Sequence, residues 1–229
     1  MSENGTAARR IPTVAVVILV AAVVGVAGMV AGAALTDGGD PVSRPGEGSA
    51  EAGFARDMQA HHVQAVEMST MVRDATDDPE VRSLALDIML TQQQQAGQMY
   101  GWLEQWDLPQ ASRSARMQWM RATDSSMGSM DHGVEATATP DSDAAMPGMA
   151  SDEDLGNLAH AGGVDAEILY LRLMVAHHEG GVAMAQAALD LVGDEDVRRL
   201  AQAIVSSQTT ELTVLSDMLD AREAAAADK

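Results

Sequence analysis

The sequence predicts an all-α protein in which two repeated antiparallel helical hairpins form a four-helix bundle behind an N-terminal transmembrane helix. Three observations predict it. The first is a duplication: sliding the 229-residue chain over itself by 116 positions aligns residues 54–106 with 170–222 without a gap, placing Met58 on Met174, Met68 on Met184, Asp78 on Asp194, Ile88 on Ile204 and Gln92 on Gln208. Self-similarity at a fixed offset marks one structural unit used twice. The second is periodicity, since apolar and His positions advance in alternating steps of four and three, as along a helix seam. The third is an uncharged, mostly apolar run from Ile11 to Leu35, longer than the ~20 residues a helix needs to cross a bilayer core.

Arg9 and Arg10 precede that run, and Asp37 and Asp40 follow it. This keeps residues 1–10 in the cytoplasm as a short tail and carries everything beyond the span outside. Ala31-Gly32-Ala33 resembles a small-residue cleavage site, so 11–35 reads as an anchor or a signal, and the protein as single-pass, or secreted if the segment is cleaved. Residues 36–50 are rich in Gly, Pro and Asp without apolar periodicity, which predicts a flexible tether.

The domain itself spans 51–222. Its first helix carries the seam Phe54, Met58, His61, Ala65, Met68, Val72, Ala75. Asp78-Pro79-Glu80 then supplies an N-cap, a proline at the first helical position and an acid in the first turn, which together start a second helix. That helix has the seam Val81, Ala85, Ile88, Gln92, Gln95, Met99, Trp102, Trp106. So short a break makes an antiparallel hairpin. The second copy repeats the pattern with Tyr170, Met174, His177, Gly181, Met184, Ala188 and Leu191, a stop and new cap at Gly193-Asp194, and Val197, Ala201, Ile204, Gln208, Glu211, Leu215 and Met218. Each hairpin alone would expose an apolar face, so the two are expected to pack together about a pseudo-twofold axis.

A Met-rich interval at 107–164 separates the copies. Most of it reads as loop, with weak helical pattern at 114–123 and a firmer helix from Asp152 to His160, where Ser151 is the N-cap and Asp154 stands at the capping-box position. Trp102, Trp106 and Trp119 read as packing, His160 as a helix-end surface residue, and 223–229 as a frayed tail.

Composition narrows the function. With 34 acidic against 14 basic residues and a formal charge of −20, nucleic acid is excluded as a partner, because nothing could neutralise its phosphates. Cations are the natural partners. Cysteine is absent, so soft-metal chemistry falls to Met thioether and His imidazole, and the 16 methionines acquire interest.

Four of the six histidines sit in Met58-Gln59-Ala60-His61-His62 and Met174-Val175-Ala176-His177-His178. In a hairpin turning near residue 77, position 61 lies level with about position 93, so His61 is expected to face Gln92 and Gln95; by the same count His177 faces Gln208 and Glu211. The middle of the bundle becomes a polar layer bracketed by Met58, Met68, Met174 and Met184. Each polar group left unpaired there costs ~1–3 kcal/mol, so the layer needs mutual hydrogen bonds, water or an ion. One reading is an interaction module whose layer is purely structural and fixes register. The other is a metal site at Met58, His61, His62, Met68, Met174, His177, His178 and Met184, since imidazole with thioether is a donor set for copper, as Cu(I) or Cu(II). Met127, Met130, His132, Met146 and Met149 form a second, weaker group of soft ligands in the interval. A diiron oxidase wants Glu-x-x-His from two helices, and neither copy has it with these histidines; Glu67 and Glu179 fall off the seams. No Ser or Cys forms a nucleophile motif with them.

The paired Met-x-x-His-His helices, each followed by Asp-x-x-Val-Arg-x-Leu-Ala-x-x-Ile and a mid-helix Gln, resemble the domain of unknown function 305 family over about residues 50–222. The resemblance implies a ferritin-like four-helix fold in exported bacterial proteins, some of them tied to copper binding and resistance. Its motif positions fall on the same eight residues, Met58 to Met68 and Met174 to Met184. The second copy departs from the family in reading His178-Glu179-Gly180-Gly181, where Gln then Gly-Ala is commoner, so Gly181 is expected to loosen that helix. Together these readings predict an extracytoplasmic, non-enzymatic copper-binding protein acting as scavenger, buffer or chaperone. Its partners would be the metal ion, the lipid bilayer through residues 11–35, and a metal-delivery protein.

Overall fold

The computed structural model describes residues 44–112, 114–120 and 146–227. Five helices run through them, α1 (Ala50–Ala75), α2 (Pro79–Gln105), α3 (Asp152–His160), α4 (Gly163–Leu191) and α5 (Glu195–Ala227), with no strand among the described residues. They belong to one unit, Pro45–Lys229. No described helix is long and apolar enough to cross a membrane; the expected span at 11–35 and the tail at 1–10 lie outside the described residues.

The helix ends form where the local chemistry places them. Ser49 caps α1, its side chain accepting from Ala52 N at 3.2 Å. Asp78 Oδ1 accepts from Glu80 N (3.0 Å) and Val81 N (2.9 Å) to start α2 behind Pro79, and Asp194 Oδ1 does the same for Asp196 N (2.9 Å) and Val197 N (3.1 Å) at α5. Each satisfies donors that the first turn of a helix leaves open. Arg82 reaches back to the carbonyls of Arg73 and Thr76, and Arg198 to those of Leu189 and Val192, so both hairpin turns also carry a cation on the carbonyl end of the preceding helix. The Ser151–Asp154 capping box of α3 is present in both directions.

α1 pairs with α2 and α4 with α5, and the two hairpins join mainly through α1 against α4, with α3 beside them. One apolar cluster gathers Phe54, Met58, Met99 and Trp102 from the first hairpin with Met184, Ala188, Val197 and Ile204 from the second. The other gathers Met68, Val72, Val81 and Ile88 with Tyr170, Leu171, Met174 and Leu215. Residues before the histidines of α1 thus share a cluster with residues after the histidines of α4, and the reverse holds for the other cluster, so α1 and α4 run antiparallel. Each fully buried side chain of this size contributes about 1.5–3 kcal/mol.

Three expectations need correction. Of the 114–123 stretch, the described residues 114–120 hold a 3₁₀ turn at Gln118–Met120, and 121–123 lie outside the described residues. The terminal segment does not fray at 223; α5 continues to Ala227, and Glu223 meets Arg172 at 2.6 Å. The end of the 36–50 tether is held: Arg56 donates to the Glu47 carboxylate at 2.7 Å and to its carbonyl at 3.3 Å, and to Pro109 O at 2.9 Å. Within the Met-rich interval, Met117 and Met146 are buried in the first cluster, Met149 packs against it, and Trp119 packs there as its reading expected. Met127, Met130 and His132 lie outside the described residues.

Candidate metal centre

α1 supplies Met58, His61, His62 and Met68, and α4 supplies Met174, His177, His178 and Met184; all eight are fully buried. The two copies meet at their histidines, the His61 and His177 ring centroids lying 3.7 Å apart at 34°. Within each copy the two rings are 6.4 Å apart at 54°, the same in both. The polar layer separates the two apolar clusters, with Met58 and Met184 on one side and Met68 and Met174 on the other.

Counting residues gives the level of a histidine but not its direction around the helix. His62, not His61, meets Gln95, with Nε2 2.7 Å from Oε1, and His178, not His177, meets Glu211, with Nε2 2.6 Å from Oε2. Consecutive residues point about 100° apart on a helix of 3.6 residues per turn, so the second histidine of each pair faces its own hairpin and the first faces the other copy. His177 Nε2 is 3.0 Å from His61 O, and His61 Nε2 is 3.0 Å from Pro147 O.

Every one of these partners is a carbonyl or carboxylate oxygen, which can only accept, so each Nε2 carries the proton and donates. The tautomer follows from the hydrogen bonds. In the neutral ring Nδ1 then holds a free lone pair, and all four Nδ1 atoms are buried without a partner, as are both amide atoms of Gln92 and of Gln208. Burial keeps three of the rings neutral: desolvation pushes His61 down to about 4, His62 down to about 3, and His177 well below the ordinary imidazole range. Imidazoles oriented through one nitrogen and open at the other are the arrangement that metal-binding histidines adopt. As the side chains stand, no group of three or more His, Asp or Glu that could hold a metal ion occurs among the described residues. Glu67 and Glu179 are exposed.

Three supporting residues carry no motif. Gln64 Nε2 donates to Ala150 O at 2.9 Å and its Oε1 accepts from Ala150 N at 2.8 Å. Gly148 takes φ +75°, where a Cβ would stand 2.1 Å from Ala176 O, and at Gly180 a Cβ would stand 2.0 Å from Pro147 O. These hold residues 147–150 across α1 and α4 at the level of the histidines. The legible signal was the copy comparison, since Gln64 and Gly180 occupy equivalent positions. Gly181 does not loosen α4, which is continuous through it; it leaves room for the Gln208 amide, whose Oε1 would be 2.3 Å from an added Cβ.

No curated protein matches the chain. Solved structures do. A DUF305 protein from Streptomyces coelicolor is 43% identical with a TM-score of 0.67, covering 78% of this chain and 96% of its own. A DUF305 fragment from Deinococcus radiodurans is 31% identical with a TM-score of 0.59, covering 75% and 95%. CopM in its Cu(I)-bound form, at 21% identity and a TM-score of 0.52 over 73% and 93%, shares the fold. The model of the domain of unknown function DUF305 matches residues 51–219, and with the duplicated histidine helices and the 43% identical structure, it establishes that this chain belongs to the DUF305 family.

Proposed function

We propose that this protein binds copper as a cargo ion, outside the cytoplasm, as a scavenger, buffer or chaperone and without catalytic turnover. The observation that carries the reading is the set of four buried Nδ1 lone pairs, each left open by a hydrogen bond that holds the opposite nitrogen. Leaving eight buried polar atoms unpaired is costly at about 1–3 kcal/mol each, and a bound ion relieves that cost for the nitrogens. Met58, Met68, Met174 and Met184 flank the layer as soft donors suited to Cu(I), and imidazole suits either oxidation state. CopM has been solved with Cu(I), Cu(II) and Ag, which supports extending copper binding to this ferritin-like arrangement. The export reading rests on residues 11–35 as a single-pass anchor or cleaved signal, and on the Streptomyces coelicolor relative, described as a candidate secreted protein.

Equilibrium titration with Cu(I) and Cu(II) tests the proposal. The tightest ion should disappear when His61, His62, His177 and His178 are all replaced by Ala, with the helical content retained by circular dichroism. Replacing Met127, Met130 and His132 should lower the number of ions bound and leave the tightest in place. A four-histidine variant that binds copper as the wild type does would make the histidine layer purely structural and overturn these histidines as the copper ligands.

A further inference from the structure

The geometry points to Glu211 as the residue that sets the oxidation-state preference of the second-copy half of the site, an inference that rests on the copper reading above. The two copies back their outer histidine with side chains at equivalent positions. His62 Nε2 donates to Gln95 Oε1 at 2.7 Å, and His178 Nε2 donates to Glu211 Oε2 at 2.6 Å. The bonds are nearly the same length, and both leave Nδ1 buried and unpartnered. What differs is charge. Once Nδ1 is given to a cation, the histidine holds a single proton on Nε2, so the His178–Glu211 unit carries a formal −1 and the His62–Gln95 unit carries none.

A fixed negative charge attracts a doubly charged ion more strongly than a singly charged one, and it does so more where water is scarce. His178 is fully buried and the Glu211 side chain is 23% exposed, so the charge is only partly screened. A carboxylate behind the imidazole also makes it a stronger donor than an amide does. Glu211 is a positioning residue in this scheme; it touches the histidine, not the ion. The repeat supplies its own control, because Gln95 shows that an amide makes the same hydrogen bond without the charge.

The experiment compares the full chain with Glu211→Gln and with Gln95→Glu by competition titration of Cu(II), Cu(I) and Ag(I), the last carrying the charge of Cu(I). Glu211→Gln should weaken Cu(II) on the order of tenfold and Cu(I) and Ag(I) only about threefold, since a singly charged ion gains half the Coulomb energy from the same carboxylate. The Cu(II)-to-Cu(I) affinity ratio then falls about threefold, which raises the one-electron potential of the bound copper by about 30 mV. Gln95→Glu should move both readouts the other way, and it keeps the idea testable if Glu211→Gln fails to fold. Equal losses for all three ions, or an unchanged ratio in both variants with copper still bound, would overturn the role of Glu211 and leave copper binding standing. A wild-type chain that takes up no copper would overturn the proposed function and this inference together.

Discussion

The first hairpin and the second share their turns and their histidine geometry, and they differ where the interval between them comes back to the bundle. Asp78 and Asp194 cap equivalent helices, Arg82 and Arg198 reach back to equivalent carbonyls, and the His pairs have identical ring separations. Copy one, however, has Asp57 and Gln64 where copy two has Leu173 and Gly180. Asp57 Oδ2 accepts from Met117 N at 2.8 Å and from Trp119 Nε1 at 2.9 Å, and Gln64 holds both backbone groups of Ala150. Gly180 leaves the space that the Pro147 carbonyl fills. One copy therefore carries the anchors and the other the clearance. The consequence reaches the histidine layer: a symmetric layer would let each inner histidine donate to the other copy's backbone, but His61 donates to Pro147 O and His177 crosses to His61 O.

The largest expected effect is on acid stability. The unfolded chain binds protons at its histidines near the ordinary value of 6.5, whereas His61 resists protonation down to about 4 and His62 down to about 3 when folded. The stability these groups confer is present above pH 6.5 and lost as pH falls through the folded values. His61 alone accounts for about 3 kcal/mol between pH 6.5 and 4. Burial raises Asp57, so that one group works the other way and favours the folded state as pH falls. Urea melts of the apo protein from pH 7.5 to 4 should show a net loss of several kcal/mol, and His61→Gln with His62→Gln should remove much of it. A flat wild-type profile would contradict the burial of neutral imidazoles.

Next in size is the anchor. Asp57→Ala strands two buried donors and should cost about 2–4 kcal/mol in chemical denaturation. Leu173→Ala, at the equivalent but half-buried position, should cost about 1 kcal/mol. Equal costs would mean that the asymmetry between the copies is not energetic.

Most of the bundle was legible because periodicity and capping are local. The seam positions from Phe54 to Val72 and from Val81 to Trp106 are all buried as their spacing requires, and Asp78 and Asp194 start helices because the motif lies within four residues. Which histidine faces which helix was not legible, since it depends on how one helix is rotated against two neighbours at once. The anchors were hidden for another reason. Asp57 and Gln64 bind backbone and side chains 60 to 86 positions away, in an interval with no periodicity, and only their mismatch with Leu173 and Gly180 hinted at it.

The clearance in copy two can be tested with one kind of substitution at two sites. Gly180→Ala drives a Cβ into the Pro147 backbone carbonyl, which cannot rotate aside, and should cost about 1–3 kcal/mol. Gly97→Ala on α2 meets nothing within 4 Å and should gain up to ~1 kcal/mol from helix propensity. Thermal melts of the two variants should move in opposite directions; a stabilised Gly180→Ala would mean that residues 147–150 do not lie against α4 in solution.

The smallest effect is expected at the neighbouring glycine, where the obstacle is a side chain. An added Cβ at Gly181 would come within 2.3 Å of Gln208 Oε1, yet neither amide atom of Gln208 has a partner, so moving the end of that side chain breaks no hydrogen bond. Copy one shows that the move is feasible. Ala65 stands at the equivalent position with a Cβ of its own, both Ala65 and Gln92 are buried, and the helix there is unbroken. Alanine in mid-helix recovers about 1 kcal/mol over glycine, and shifting the amide takes back part of that. Gly181→Ala should therefore raise the melting temperature of the apo protein by about 2 °C. A loss of more than about 1 kcal/mol would show instead that Gln208 is held where it stands, and that the two glutamines of the layer are not interchangeable in the way their positions in the repeat imply.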